Sequence, residues 1–124
     1  MIAVPRLTQG AFRLCLDTMF TKMTGRQLVY TCTGKPSAGI FAMAQQLIQA
    51  QMPENLSQVD TIYMIGDNPR SDIRGANAMG TPWVSVLVRT GNFRGAVNDD
   101  TDPAQLVLSD AAAAVDHILS CHRH

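Results

Sequence analysis

The sequence is poor in charge, in cysteine and in long apolar runs, and each shortage excludes a class of protein. Only 16% of the 124 residues are charged, and the ten basic residues equal the ten acidic ones. No basic excess exists to hold a polyanion, so we expect no nucleic-acid partner. Three cysteines without a spaced framework argue against a disulfide scaffold and indicate a reducing, intracellular compartment. No apolar run is long enough to span a bilayer, so we expect no membrane partner.

The apolar residues, 46% of the chain, are spaced as in helices over much of its length. They recur every three or four positions over residues 12–23, and Gly25 follows where a helix C-cap glycine belongs. The same spacing occurs over residues 40–48 and again after Asp110, which is a typical N-cap. On the first helix Cys15 lies on the apolar face, which we expect to pack into the core. In the last helix the residues expected to face the core are Ala111, Val115, Ile118 and Leu119.

Shorter apolar runs bounded by turn residues predict strands. These runs lie at residues 27–31, 61–65, 83–88 and 106–108, and a short helix is predicted at residues 71–79. Strands alternating with helices at this spacing are typical of βαβ units, whose strands are parallel and whose crossovers are right-handed. The sequence therefore predicts an α/β fold.

Two acidic residues follow the strand predicted at residues 61–65. Asp67 comes directly after Gly66, and Asp72 opens the short helix after a loop that contains Pro69. Ligands of open α/β sheets bind beyond the carboxyl ends of the strands, and two carboxylates there can share a hard cation such as Mg²⁺. The alternative is structural: Asp67 ends a strand, and Asp72 favours a helix N-terminus.

Lys35 lies in a Gly-Lys-Pro turn just before the second helix, where backbone N–H groups favour an anion. An ammonium group at that place can support a phosphoryl group; the alternative is a solvated surface lysine. The turn is not a phosphate-binding P-loop, because Pro36 stands where that motif needs Ser or Thr. A nucleotide-binding Rossmann domain is also disfavoured, because no glycine-rich loop follows any predicted strand.

The Gly-Lys-Pro turn and the later Gly-Asp-x-x-x-x-Asp loop together resemble motifs of the haloacid dehalogenase (HAD)-like hydrolase superfamily, subclass IIA. The type it is most similar to is the cat-eye-syndrome-critical-region-5 type, through residues 12–16, 34–37, 66–72 and 88–91. The resemblance implies a partial Rossmann-like parallel sheet, the C-terminal half of the HAD core. Residues 1–33 would be a C-terminal remnant of the cap domain, and residues 34–124 would be core.

The resemblance also implies a role for each motif residue. Lys35 corresponds to the catalytic lysine that steadies the nucleophile and the phosphoryl charge, and Asp67 to an acid that ligates Mg²⁺. Asp72 corresponds to the second acid of the metal site, as a ligand or as a residue that orients the site. The substrate implied is a phosphorylated small molecule, and the reaction proceeds through an aspartyl-phosphate.

The nucleophilic aspartate of that family lies in an Asp-x-Asp segment ahead of the lysine motif, and this sequence has none there. Its one Asp-x-Asp, at residues 100–102, lies in a late polar loop. We therefore expect the chain to be the C-terminal part of a HAD-like phosphohydrolase, inactive alone. Members of this type include mitochondrial proteins, and the sequence does not distinguish mitochondria from cytoplasm.

The strand that carries the nucleophile would neighbour the strand that ends at Asp67. Without it an apolar sheet edge is unpaired, which favours aggregation or pairing with another chain. We expect self-association or strand exchange through this open edge. The alternative function is a non-catalytic α/β interaction module that pairs with a partner through the same edge.

Overall fold

The computed structural model describes residues 7–122. The chain divides between Cys32 and Thr33 into two compact units. We call residues 7–32 the N-terminal unit and residues 33–122 the sheet unit. No helix in the described residues is long and apolar enough to cross a membrane. The assignment of residues 1–33 to a cap remnant and of residues 34–124 to a HAD core stays a prediction.

The N-terminal unit contains one helix, α1 (Gln9–Thr24). Gly25 ends it as predicted, with φ of 67° and its N–H donated to the carbonyl of Thr21. The expected burial of the apolar face is wrong for this helix, since none of its residues is buried and Phe12 is 66% exposed. A single helix in a unit of this size has no second layer to cover its apolar stripe.

The strand predicted at residues 27–31 is absent, and this segment is irregular. Val29 is 94% exposed. A strand needs a hydrogen-bonding neighbour, and residues 7–32 include no second extended segment that supplies one. The segment instead approaches α1 through Tyr30, whose ring centre lies 5.4 Å from the guanidinium carbon of Arg13.

The sheet unit confirms the α/β fold. Its three strands, β1 (Ile62–Gly66), β2 (Trp83–Val88) and β3 (Leu106–Leu108), are parallel and lie in that order. The helices are α2 (Ala38–Ala50), α3 (Arg74–Met79) and α4 (Ala111–Cys121). A π-helical turn (Pro69–Ile73) takes up the first part of the short helix predicted at residues 71–79. The sheet is thus a small parallel sheet of the partial Rossmann-like kind.

Helices cover both faces of this sheet. Because side chains alternate along a strand, Leu87 of β2 points away from its neighbours Val86 and Val88. Val86 and Val88 pack with Ala114 of α4, whereas Leu87 packs with Ile73 at the end of the π-helical turn. The core therefore consists of three thin layers: helix, sheet and helix.

The inward face of α4 differs from the one expected. Ala114 is fully buried, whereas Val115 and Leu119 are 46% and 51% exposed. Asp110 does cap the helix, since its carboxylate accepts the N–H of Ala113 at 2.8 Å. Ala114 packs with Val86 and Val88 of β2, so a small residue and not the larger Val115 faces the sheet.

Candidate active site at the carboxyl ends of β1 and β2

Asp67 lies where β1 ends and is held from the loop that follows β2. Its Oδ2 atom accepts the backbone N–H of Asn92 at 2.7 Å and the side-chain amide of Asn92 at 3.0 Å. Its backbone carbonyl accepts the N–H of Phe93 at 2.9 Å. Parallel strands end at the same edge of a sheet, so the two loops meet there. Oδ1 of Asp67 accepts no hydrogen bond from residues 7–122.

Asp72 lies in the π-helical turn and is 3% exposed. Its Oδ2 atom accepts the backbone N–H of Asn68 at 3.0 Å. Its Oδ1 atom lies 2.6 Å from the Nζ atom of Lys35 and 3.5 Å from the hydroxyl of Ser71. Both oxygens of this carboxylate are therefore occupied by donors from the chain itself.

Gly66 allows this arrangement, because a β-carbon on it would overlap the carboxylate of Asp72. The loop also supports itself, since the side chain of Asn68 accepts the N–H of Arg70 at 3.1 Å. The carbonyl of Asn68 accepts the N–H of Asp72 at 2.9 Å. The sequence Gly-Asp-Asn-Pro thus makes a tight turn. Asp67 follows Gly66 in the chain, and the carboxylate of Asp72 packs against Gly66.

Lys35 reaches this loop from the turn before α2. Its partner Asp72 lies 37 positions later in the chain, and the lysine side chain is 48% exposed. An ammonium group has three N–H donors. Half of the side chain faces solvent, and Nζ has N–H donors beyond the one used by Asp72. The structure thus joins Lys35 to Asp72 and places Asp67 on the same loop.

The last acidic loop is a structural element and not part of this site. Asp102, from the Asp-x-Asp of residues 100–102, is 8% exposed and pairs with Arg74 through two hydrogen bonds of 2.9 and 2.8 Å. This hydrogen bonding holds the pKa of Asp102 below its usual value. Asn98 braces the loop by accepting the N–H groups of Asp99 and Ala104 at 3.0 Å each. Asp102 therefore fastens α3 to the loop before β3.

The carboxylates of Asp67 and Asp72 fit only a cation that takes few ligands from the protein. No group of three or more His, Cys, Asp or Glu side chains suited to a metal occurs in the described part of the chain. Mg²⁺ keeps several waters and binds proteins through one or two carboxylates together with substrate phosphate. Asp67 fits such an ion because Oδ1 is free of donors, whereas the oxygens of Asp72 are already engaged.

Asn92 was not singled out from the sequence, and Gly91 was included only as the end of the motif at residues 88–91. A β-carbon on Gly91 would overlap the carboxylate of Asp67, so the two residues are in close contact. The signal that can find them is positional: they follow the second strand of a parallel pair, as Asp67 follows the first. Residue type alone gives no such signal for an asparagine in a polar loop.

The chain is similar to known hydrolases over most of its length. Residues 32–114 match the family model described as HAD-hydrolase-like. A cardiolipin synthase (CMP-forming) / mitochondrial hydrolase fusion protein of Schizosaccharomyces pombe is 43% identical over 94 residues, which cover 74% of this chain and 16% of that protein. A mitochondrial hydrolase of Saccharomyces cerevisiae is 30% identical, over 89% of this chain and 36% of that protein.

A haloacid dehalogenase-like hydrolase domain-containing protein 2 of Bos taurus is 34% identical over 90 residues, which cover 72% of this chain and 31% of that protein. The chain thus spans between 16% and 36% of the length of these relatives. The matched family segment includes Lys35, Asp67 and Asp72, and the parallel sheet agrees with it. The chain belongs to the HAD-like hydrolases.

Proposed function

We propose that this chain supplies part of the active site of a Mg²⁺-dependent phosphohydrolase that acts on a phosphorylated small molecule. The observation that carries the proposal is the 2.6 Å contact between Lys35 and Asp72 on the loop that begins with Asp67. One half-exposed cation and one carboxylate with a free oxygen face the end of β1. This combination suits a phosphoryl group and the cation that accompanies it.

In this proposal Asp67 is a direct ligand of Mg²⁺, and Asp72 orients Lys35. Asp67 would hold the Mg²⁺, which would supply positive charge beside the phosphoryl group. Lys35 donates hydrogen bonds to the phosphoryl oxygens while Asp72 holds its Nζ atom in place. A nucleophilic aspartate from outside this sequence takes the phosphoryl group as the ester oxygen leaves, and water then hydrolyses the aspartyl-phosphate.

Calorimetric titration of the whole chain with MgCl₂ tests the metal site. We expect binding that is lost in Asp67→Ala and retained in Asp60→Ala, which removes an exposed carboxylate before β1. Equal heats for the wild type and Asp67→Ala would remove Asp67 from the metal site. We also expect no hydrolysis of p-nitrophenyl phosphate by the chain alone, because no Asp-x-Asp precedes Lys35 in this sequence.

A second candidate function, a non-catalytic module that pairs with another chain, is favoured by the edge of β1. Within residues 7–122, β1 is hydrogen-bonded to β2 on one side and to no strand on the other. Free N–H and C=O groups along that edge offer a template for a further strand. We propose that isolated chains self-associate or exchange a strand there.

Sedimentation velocity over a range of concentrations tests this pairing, which we expect to produce dimers or larger species as concentration rises. A monomer at every concentration contradicts it. The titration with MgCl₂ separates the two functions, because only the metal site predicts binding that Asp67→Ala abolishes. Phosphatase turnover by a mass-verified sample, lost in Asp67→Ala, excludes the purely non-catalytic function.

An intracellular location belongs to the same proposal. Cys15, Cys32 and Cys121 are all free thiols and exposed, as suits a reducing compartment. Two of the relatives are called mitochondrial by name. Fractionation of cells that express the chain, followed by immunoblotting, distinguishes mitochondria from cytoplasm, and recovery of the chain in the secreted fraction contradicts the proposal.

A further inference from the structure

The two carboxylates of the site are held by donors of different charge. The ammonium of Lys35 contacts Asp72, and so offsets negative charge there. Asp67 is held by a neutral residue, Asn92, which donates a backbone N–H at 2.7 Å and a side-chain N–H at 3.0 Å. Asp67 is therefore oriented while its charge remains available to a cation.

Both Asn92 donors converge on one oxygen, Oδ2 of Asp67. A carboxylate that accepts two hydrogen bonds on one oxygen cannot rotate freely about its Cβ–Cγ bond without losing them. The adjoining residue Gly91 lies so close that a β-carbon on it would overlap the carboxylate. Phe93 holds the backbone of Asp67 through its N–H at 2.9 Å. Three successive residues thus fix both the backbone and the carboxylate plane of Asp67.

We propose that Asn92 is a positioning residue that keeps Oδ2 of Asp67 occupied and turns Oδ1 toward the cation. The proposal rests on the metal role proposed for Asp67 and extends it to a residue of the next loop. Hydrogen bonds from outside a metal's ligands fix ligand orientation, and their loss commonly weakens metal affinity 10- to 100-fold. The backbone donor survives substitution of the side chain, so the expected loss lies near the lower figure.

The test compares two variants of the full chain with one control. Asn92→Ala removes the side-chain donor, and Asn92→Leu removes it while keeping a side chain of similar size. Asn55→Ala removes an exposed asparagine amide elsewhere in the sheet unit. The electron paramagnetic resonance signal of free Mn²⁺ measures the Mn²⁺ affinity of the wild type and of each variant. We expect about tenfold weaker Mn²⁺ binding in both Asn92 variants and no change in Asn55→Ala.

If Asn92 only packs the loop, the Mn²⁺ affinities of the variants follow a different pattern. If Asn92→Leu binds Mn²⁺ as tightly as the wild type, size and not hydrogen bonding matters, and the proposal is overturned. Thermal unfolding of each variant without metal shows whether the fold survives. An Asn92 variant that has lost the fold is replaced by Asn92→Gly, which also lacks a side-chain donor; the same weakening is expected, and wild-type affinity overturns the proposal.

A second measurement needs no metal. In ¹H–¹⁵N spectra we expect the side-chain amide of Asn92 to shift, relative to the wild type, when Asp67→Ala removes its acceptor. No shift overturns the contact itself. If the wild type binds no Mn²⁺ at all, the proposed metal site fails, and the cation-directed role of Asn92 fails with it. The amide shift then shows separately whether Asn92 orients Asp67.

Discussion

The ring of Phe41 occupies the space that a β-carbon on Gly75 would need. The same ring meets Trp83 edge to face, with ring centres 5.2 Å apart. Helix α2 therefore docks through one buried aromatic residue onto α3 and the start of β2. Because the turn before α2 carries Lys35, this docking also sets where the lysine meets Asp72.

Gly75→Ala is expected to destabilise the sheet unit by about 1–3 kcal/mol, since an added methyl in a filled core forces its neighbours to shift. Urea unfolding followed by Trp83 fluorescence measures the change. Gly39→Ala in α2 is the matched control, because its new methyl meets only ordinary contact. It should leave stability unchanged or raise it by up to about 1 kcal/mol. Equal effects of the two substitutions would contradict the close contact.

Lys35→Met should lower the free energy of unfolding by about 1–3 kcal/mol, because it leaves the buried carboxylate of Asp72 without its charged partner. Urea unfolding measures the loss. Lys22→Met, at the exposed end of α1, is the matched control and should have no effect on the sheet unit. In the double variant Lys35→Met with Asp72→Asn the loss should be smaller than the sum of the two single losses. Additive losses would show that the two side chains do not interact.

The ion pair of Arg74 and Asp102 should make stability depend on pH in the acidic range. The hydrogen bonds from Arg74 lower the pKa of Asp102 in the folded chain. A folded pKa below the unfolded one stabilises the fold above the unfolded pKa, near 4, and this stabilisation disappears as pH falls through the folded pKa.

The measurement is the melting temperature of the wild type and of Arg74→Met from pH 7 to pH 2. We expect the variant to melt several degrees lower at pH 7 and the difference to shrink as the solution becomes acidic. Arg94→Met, which changes an exposed arginine, should follow the wild type throughout. The pKa of Asp110 is also lowered, chiefly by the N–H of Ala113, and both variants retain this contribution. A difference that stays constant with pH would rule out Asp102 as its source.

Ser85→Ala should cost about 1–3 kcal/mol, because the fully buried hydroxyl joins two elements. The hydroxyl donates to the side-chain oxygen of Asn77 at 2.7 Å and accepts the backbone N–H of Gln105 at 3.1 Å. Chemical unfolding measures the loss, with Ser57→Ala at an exposed position as the control. An effect no larger than that of Ser57→Ala would contradict a stabilising role for these two hydrogen bonds.

The order of the elements in the sheet unit was predictable from the sequence. Residues 61–65, 83–88 and 106–108 differ from the observed strands by no more than one residue at either end. Turn residues and the alternation of helical and strand spacing are local properties of the sequence, so these elements could be predicted without knowledge of the tertiary contacts. The caps Gly25 and Asp110 were predictable for the same reason, since a cap bonds to backbone groups within a few positions.

The residues of the candidate site could be predicted only in part from the local sequence. Asp67 and Asp72 are joined by one loop, so their common position at a strand end follows from the local sequence. Lys35 was singled out by its place before a helix N-terminus, but its link to the acidic loop came only from resemblance to a family motif, because no local rule pairs a lysine with a carboxylate 37 positions away. Asn92 was not singled out as a site residue.

The sequence by itself determined the α/β order, the parallel strands and the acidic loop, because these depend on spacing and on backbone preferences within a few residues. Only the tertiary structure decided which faces are buried and which side chains meet. In the tertiary structure no residue of α1 is buried, and Ala114 instead of Val115 faces the sheet. Asn92 donates a hydrogen bond to Asp67. The physical reason is that burial and hydrogen bonding between loops depend on which elements are adjacent in space, and the width of a three-stranded sheet limits what it can cover.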